Sequence, residues 1–93
     1  MDQDAINLSK AIIQHESGGN FTTPGKSQEY GGAQWVKDTW DAQAKDTLGY
    51  VPKWGTEEMT PDLQKAVLYA SVKKDKDKGL NPAQIAAKWN SGH

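Results

Sequence analysis

The sequence predicts an all-α domain of about four helices, or an α-fold with one small β-hairpin in a long loop. Apolar residues recur at helical spacing in four segments, and turns rich in glycine and proline separate those segments. A chain of 93 residues has room for one hydrophobic core. We therefore expect residues 1–93 to form a single domain, either alone or as a piece excised from a longer chain.

The first helix is predicted over residues 5–16. Its apolar positions are Ala5, Leu8, Ile12 and Ile13. Gly18 and Gly19 favour the left-handed backbone that ends a helix. Residues 20–33 contain one proline, three glycines and many small polar residues, a composition that predicts a long loop. A loop of this length in a small domain is usually functional.

The second and third helices have recognisable ends. The second has apolar positions at Val36, Trp40, Ala44 and either Thr47 or Leu48, and Gly49 ends it. Thr60 and Pro61 begin the third helix as the N-cap and first helical residue. Its expected core-facing residues are Leu63, Ala66, Val67 and Ala70. Residues 73–78 alternate in charge and are expected to form a solvated end.

The fourth helix has the strongest start pattern in the chain. Asn81 can cap it, Pro82 suits the first helical position, and Gln84 can reach back to the cap. The helix is expected to carry Ile85, Ala86 and Trp89.

Composition excludes several classes of function. The chain has no cysteine, which removes disulfides and thiolate chemistry, and its two histidines are too far apart in sequence to indicate a metal site. Eleven basic and twelve acidic residues nearly cancel, so nothing favours nucleic acid as a partner. No apolar run is long enough for membrane insertion, and the acidic start differs from a secretory signal peptide. We expect a monomer without metal or cofactor.

Glu16 extends the apolar face of the first helix, because residues four apart share a helix face and Ile12 precedes it by one turn. Burial penalises the ionised form of a carboxylic acid, and this suits a general acid that works near neutral pH. Periodicity alone leaves an equal alternative, in which Glu16 lies at a frayed helix end and hydrogen-bonds the glycine turn.

Three ordered motifs support the catalytic interpretation. They are His15-Glu16-Ser17-Gly18-Gly19-Asn20-Phe21, then Tyr30-Gly31-Gly32-Ala33-Gln34-Trp35 with Thr39-Trp40, and finally Trp89-Asn90-Ser91-Gly92. The first two resemble resuscitation-promoting factors and phage lysozyme-like domains, and the third is similar to the Tyr-Asn-x-Gly motif of soluble lytic transglycosylases. The resemblance spans about residues 9–92 and is to the lysozyme-like superfamily.

The resemblance implies cleavage of the β-1,4 bond between N-acetylmuramic acid and N-acetylglucosamine in peptidoglycan. Glu16 would protonate the glycosidic oxygen. A lytic transglycosylase is favoured, and the alternatives are a hydrolytic muramidase or a non-catalytic peptidoglycan-binding module of a phage or secretion apparatus. The target is the cell wall, reached in the periplasm, outside the cell or from a phage particle.

The resemblance also implies a set of substrate-contacting residues. They are Ser17, Tyr30, Gly32, Gln34, Trp35, Trp89 and Asn90. Simpler roles compete with several of these: Ser17 as a helix cap, Gln34 as a solvated loop amide, and the two adjacent glycines as a tight turn.

The aromatic residues divide between core and groove. We expect Trp40 in the core, leave Trp35 open between core and sugar stacking, and regard Tyr30 and Trp54 as possible groove walls. His15 is expected to flank the site, because adjacent helical residues point about a hundred degrees apart.

The chain departs from its relatives at two points. Trp89 stands where soluble lytic transglycosylases usually have a tyrosine that hydrogen-bonds the catalytic acid, and an indole can only donate. A hydrolase also needs a second carboxylate. Glu29, Asp38 and Asp41 are candidates by position, and the last two equally suit the first turn of a helix.

Overall fold

Four helices make up the regular structure of residues 1–90, which are the residues that the computed structural model describes. They are α1 (Gln3–Ser17), α2 (Lys37–Leu48), α3 (Pro61–Asp77) and α4 (Pro82–Asn90). Within this range the β-type contacts are isolated antiparallel bridges that join Tyr30 to Pro24 and to Trp35, so the described chain has no strand. Among the described residues, none of the helices combines the length and the hydrophobicity that spanning a bilayer requires. The all-α prediction is confirmed.

The first helix begins two residues earlier than expected, because Asp2 caps it. The Asp2 side chain accepts a hydrogen bond from the Ala5 amide at 3.1 Å. Its two oxygens also lie 2.9 and 2.7 Å from Nζ of Lys76 on α3, and its backbone amide donates to the Tyr69 hydroxyl at 3.0 Å. One acidic residue therefore starts α1 and joins it to α3.

The other predicted helix ends are confirmed. The Thr60 hydroxyl accepts from the Leu63 amide at 3.3 Å. At α4 the Asn81 amide donates to the Gln84 side chain and the Gln84 amide donates to the Asn81 side chain, both at 2.8 Å. Gly18 and Gly49 end α1 and α2 with φ of 64° and 79°, the left-handed region that favours glycine.

Helix α3 contacts each of the other three helices, and its buried face differs from the predicted one. The buried residues are Gln64, Val67, Leu68, Val72 and Asp75. Of the expected set only Val67 is buried, whereas Leu63 and Ala70 are half-buried and Ala66 is exposed. The buried face is rotated about the helix axis relative to the predicted face, because the polar side chains of Gln64 and Asp75 also point inward. Hydrogen bonds compensate for the burial of these two side chains.

Asp75 corrects the prediction of a solvated end for α3. It is 8% exposed, and its carboxylate oxygens lie 3.0 and 3.1 Å from Nζ of Lys88 on α4. The Leu80 amide donates to the Asp75 carbonyl oxygen, so this residue also fixes the turn between α3 and α4.

Three tryptophans form the centre of the core. Trp35 and Trp40 are completely buried and Trp89 is 4% exposed. The Trp35 ring meets the edges of both others, with centroids 4.9 Å from Trp40 and 6.0 Å from Trp89. The prediction of a core position for Trp40 is confirmed, and its indole N–H donates to the Pro52 carbonyl at 2.9 Å.

We predict that the contribution of Asp2 to stability depends on pH. The hydrogen bond with Lys76, followed by that from the Ala5 amide, lowers the pKa of Asp2 below its ordinary value of 3.8. The folded state therefore holds this proton less tightly than the unfolded state does. The stabilisation is present above the unfolded pKa and disappears as pH falls through the folded pKa.

The variant Asp2→Asn keeps a capping side chain but removes the charge. We expect its urea midpoint to lie below that of the parent at pH 7, and the two midpoints to converge in acid as the pH falls below the folded-state pKa of Asp2. Asp4→Asn is the control, because Asp4 is 80% exposed and lies 3.5 Å from the same Lys76. An equal gap between Asp2→Asn and the parent at both pH values would contradict the prediction.

Candidate active site

Glu16 lies in the last turn of α1, beyond the buried Ile12 and Ile13, and its side chain is 17% exposed. Oε2 of Glu16 is 3.0 Å from Nδ1 of His15, whose side chain is 72% exposed. The two side chains therefore meet although they are adjacent in a helix, and His15 contacts the predicted acid directly. With a hydrogen on Nδ1 the ring donates to the carboxylate, and in the other tautomer it accepts from the carboxylic acid.

The glycine turn after α1 is closed by Ser17 and not by Glu16. The Ser17 hydroxyl donates to the Ile13 carbonyl and accepts from the Asn20 amide, both at 3.1 Å. The Gly18 amide donates to the Gln14 carbonyl at 3.0 Å. Ser17 thus acts as a cap in this structure. The Glu16 carboxylate contacts His15 instead of the glycine turn.

Gln34 holds the loop after α1 together. Its side-chain nitrogen donates to the carbonyl oxygens of Thr23 and Gly31, both at 2.9 Å, and the residue is 8% exposed with a left-handed φ of 51°. The interpretation as a solvated loop amide is wrong. Gln34 was expected to contact substrate, but its side-chain nitrogen is engaged by the loop backbone.

A buried glutamine on α3 fixes the same loop through hydrogen bonds to its backbone. Gln64 is 1% exposed, accepts from the Gly32 amide at 2.8 Å, and donates to the carbonyls of Phe21 and Met59 at 2.9 and 2.7 Å. Sequence reasoning missed Gln64 because it took the neighbouring apolar residues as the buried face. A signal was present, because Val67, Leu68 and Val72 follow Gln64 at helical spacing and share its face.

The two loop glycines are required by packing within the protein. A Cβ on Gly32 would lie 2.8 Å from the Phe21 ring, and one on Gly31 would lie 2.7 Å from Oε1 of Gln64. Gly31 also has a φ of 93°, which side chains rarely adopt. The tight-turn explanation therefore accounts for both glycines without a sugar.

Trp35 and Trp89 belong to the core, which corrects their place in the expected set of substrate-contacting residues. Trp35 has no exposed surface and its indole N–H donates to the Gln43 side chain at 2.9 Å. The Trp89 indole N–H donates to the Ala33 carbonyl at 2.8 Å. Asn90 is exposed at the end of α4, and Ser91 and Gly92 of the third motif lie outside the described residues.

Tyr30 and Trp54 form a half-buried pair beside the loop. Their ring centroids are 5.8 Å apart and the rings meet edge to face at 68°. Tyr30 is held in place by its backbone, which exchanges hydrogen bonds with Trp35 at 2.9 and 3.0 Å. Both aromatic side chains keep partial access to solvent, as a groove wall requires.

Two of the three candidate second carboxylates are engaged locally. Glu29 accepts from the Ser27 amide at 2.9 Å, and Asp41 lies 2.6 Å from Nζ of Lys37, whose pKa this hydrogen bond raises. Asp38 is exposed in the first turn of α2. Within residues 1–90 no group of three His, Asp or Glu side chains is placed to hold a metal ion.

No protein-family model, curated protein sequence or solved structure matches this chain. The resemblance to lysozyme-like domains therefore depends on the motifs around Glu16, Tyr30 and Trp89. The geometry of those residues is the remaining basis for a functional proposal.

We predict that Gln64→Leu destabilises the protein by about 3 kcal/mol, because it leaves the Gly32 amide and two carbonyl oxygens without their buried partner. Gln14→Leu is the matched control on an exposed face of α1 and should change stability by less than about 0.5 kcal/mol. Urea unfolding measures both. Equal effects of the two substitutions would show that the buried amide does not hold the loop.

Proposed function

We propose that this chain cleaves the β-1,4 bond between N-acetylmuramic acid and N-acetylglucosamine in peptidoglycan, with Glu16 as the general acid. The observation that supports this most directly is the Glu16 carboxyl group, which ends the apolar face of α1, is 17% exposed and meets His15. A carboxyl group that is shielded from water yet accessible at its edge can deliver a proton to a substrate oxygen. The proposal implies that the chain acts on the cell wall.

The proposed reaction uses one carboxyl group twice. Protonated Glu16 transfers its proton to the glycosidic oxygen as the bond to C1 of N-acetylmuramic acid breaks, through an oxocarbenium-like transition state. The ionised Glu16 then accepts the proton of the C6 hydroxyl as that oxygen attacks C1. The products are a free N-acetylglucosamine 4-hydroxyl and a 1,6-anhydro end, and Glu16 regains its proton.

We favour this transglycosylase route over hydrolysis because of where the other carboxylates lie. Glu29 and Asp41 are bound to the Ser27 amide and to Lys37, respectively. Hydrolysis by an inverting or retaining route needs a second free carboxylate at a set distance from the first. Asp38 is the remaining candidate for that role, and a muramidase is the alternative activity.

We predict that Glu16→Gln lowers the rate of peptidoglycan cleavage by at least about 100-fold, since the amide keeps the shape of the side chain but has no acidic proton. Glu57→Gln, on an exposed loop, is the control and should cleave at the parent rate. The assay is digestion of purified peptidoglycan with mass spectrometry of the released muropeptides. Cleavage by Glu16→Gln at the parent rate would rule out the mechanism.

The same spectra distinguish the activities. Fragments with anhydro ends, released by the parent, support the transglycosylase. Fragments with reducing ends show a muramidase, and Asp38 is then the next residue to mutate. Binding of peptidoglycan without release of fragments would show a non-catalytic recognition module.

We predict that His15→Ala reduces the cleavage rate by less than Glu16→Gln does and changes its pH profile. His15 holds one oxygen of the Glu16 carboxyl group, and a positioned carboxyl group transfers its proton more efficiently than a mobile one. His15→Gln is the control, because its amide can restore a hydrogen bond but has no titratable group. A His15→Ala profile that superimposes on the parent profile would exclude a positioning role for His15.

A further inference from the structure

Trp54 differs from the other three tryptophans. Trp35, Trp40 and Trp89 are at most 4% exposed, and each donates its indole N–H to a partner. Trp54 is half-buried, and its N–H donates to no acceptor within residues 1–90. Within residues 1–90 every buried side-chain nitrogen and oxygen atom has a hydrogen-bond partner. The Trp54 indole nitrogen has none, so it is not buried and is open to solvent or to a ligand.

A groove opens beside this ring, between the loop and the start of α2. It has a volume of about 380 Å³ and is lined by Ser27, Gln28, Val36, Lys37, Asp38 and Trp54, and we call it the Trp54 groove. Its size lies at the small end of the range for small-molecule sites, about 300–1,000 Å³. One aromatic wall with several polar side chains at its rim is the arrangement that such sites use for orientation and specificity.

The residues at the rim of the Trp54 groove are held in a defined conformation. Gln28 has a φ of 66°, a left-handed conformation that residues other than glycine rarely adopt and that occurs often at ligand sites. The Glu29 side chain accepts from the Ser27 amide at 2.9 Å and so closes the turn that presents Gln28. Tyr30 packs against the Trp54 ring, with the ring centroids 5.8 Å apart.

The chemistry of the rim fits a sugar. The Ser27 hydroxyl and the Gln28 amide can each donate and accept, the Asp38 carboxylate accepts, and the Trp54 N–H donates. Lys37 is paired with Asp41 at 2.6 Å and Asp38 adds a second carboxylate at the rim, so the groove carries no net positive charge to attract an anion. A pyranose presents alternating hydroxyl groups at its edge and a C–H face that can pack on an aromatic ring.

We propose that the Trp54 groove is a saccharide-binding site that holds an N-acetylated hexose of the glycan strand against the Trp54 ring. The acetamido carbonyl accepts from the Trp54 N–H, and the ring hydroxyls meet Gln28 and Asp38. The choice of an N-acetylated sugar depends on the proposed function. The site itself depends on the groove and would bind glycan even in a chain that cleaves nothing.

The experiment is acrylamide quenching of tryptophan fluorescence in Glu16→Gln, with the tetramer of N-acetylglucosamine as the probe and maltotetraose as the control sugar. Because the other three indoles are buried, the quenchable emission comes mainly from Trp54. We expect the N-acetylated tetramer to reduce quenching and maltotetraose to leave it unchanged. Unchanged quenching with both sugars, up to the solubility limit of the tetramer, overturns the proposal.

Calorimetry on three further variants in the same background tests which residues bind. We expect Trp54→Ala to weaken tetramer binding about tenfold, the equivalent of roughly one aromatic contact. Gln28→Gly should weaken binding while it raises the melting temperature, because glycine suits the left-handed backbone. This variant keeps the test valid if Trp54→Ala fails to fold. Tyr50→Ala is the control, since Tyr50 is 53% exposed and lies outside the groove.

The affinities of these variants for the tetramer test the saccharide site independently of the proposed catalytic activity. Weaker binding in Gln28→Gly and Trp54→Ala, with parent affinity in Tyr50→Ala, supports it. Equal affinity in all three overturns it. If the parent protein releases no muropeptides but these affinities differ as expected, the proposed catalytic function fails and the saccharide site stands.

Discussion

The buried amide of Gln64 is the interaction on which the arrangement of the site depends. It is the point where α3, the start of the loop at Phe21 and the glycine pair at Gly32 meet, through hydrogen bonds of 2.7 to 2.9 Å. The loop from Gly18 to Val36 has scattered backbone hydrogen bonds and isolated bridges but no strand ladder, so side chains must supply much of its support. A buried, fully satisfied polar group can give that support, because leaving any of its partners unpaired is costly.

The tryptophan cluster supplies the other half of the support. Trp89 donates to the Ala33 carbonyl and packs against Trp35, so α4 holds the far end of the loop while α3 holds its middle. Glu16 stands where the loop begins, and Tyr30 and Trp54 stand along its edge. The catalytic proposal concerns the helix end from which this loop starts, and the saccharide-site proposal concerns the place where the loop meets α2 and the connection that carries Trp54.

Local rules predicted the helices well and the side-chain roles less well. Caps at Thr60 and Asn81 depend on a few adjacent residues and could be recognised from the sequence. The orientation of α3 was mispredicted because the expected set omitted Leu68 and Val72, which lie on the buried face. The inward positions of Gln64 and Asp75 could not be recognised, because their partners Gly32 and Lys88 are distant in sequence. Trp35 and Trp89 had two plausible environments, and only tertiary packing selects between core and surface. The contact between His15 and Glu16 depends on rotamers, which helix periodicity does not specify.

The collision that any side chain at Gly32 would have with the Phe21 ring changes how the Tyr-Gly-Gly motif should be used to trace ancestry. Selection for a folded domain is sufficient to keep that glycine, whether or not the chain cleaves glycan. The motif then marks a shared scaffold, whereas the carboxylate at position 16 is free to vary in any chain that does not use it for catalysis. In a set of homologous chains, the presence or absence of that carboxylate would separate enzymes from binding modules more sharply than the glycines would.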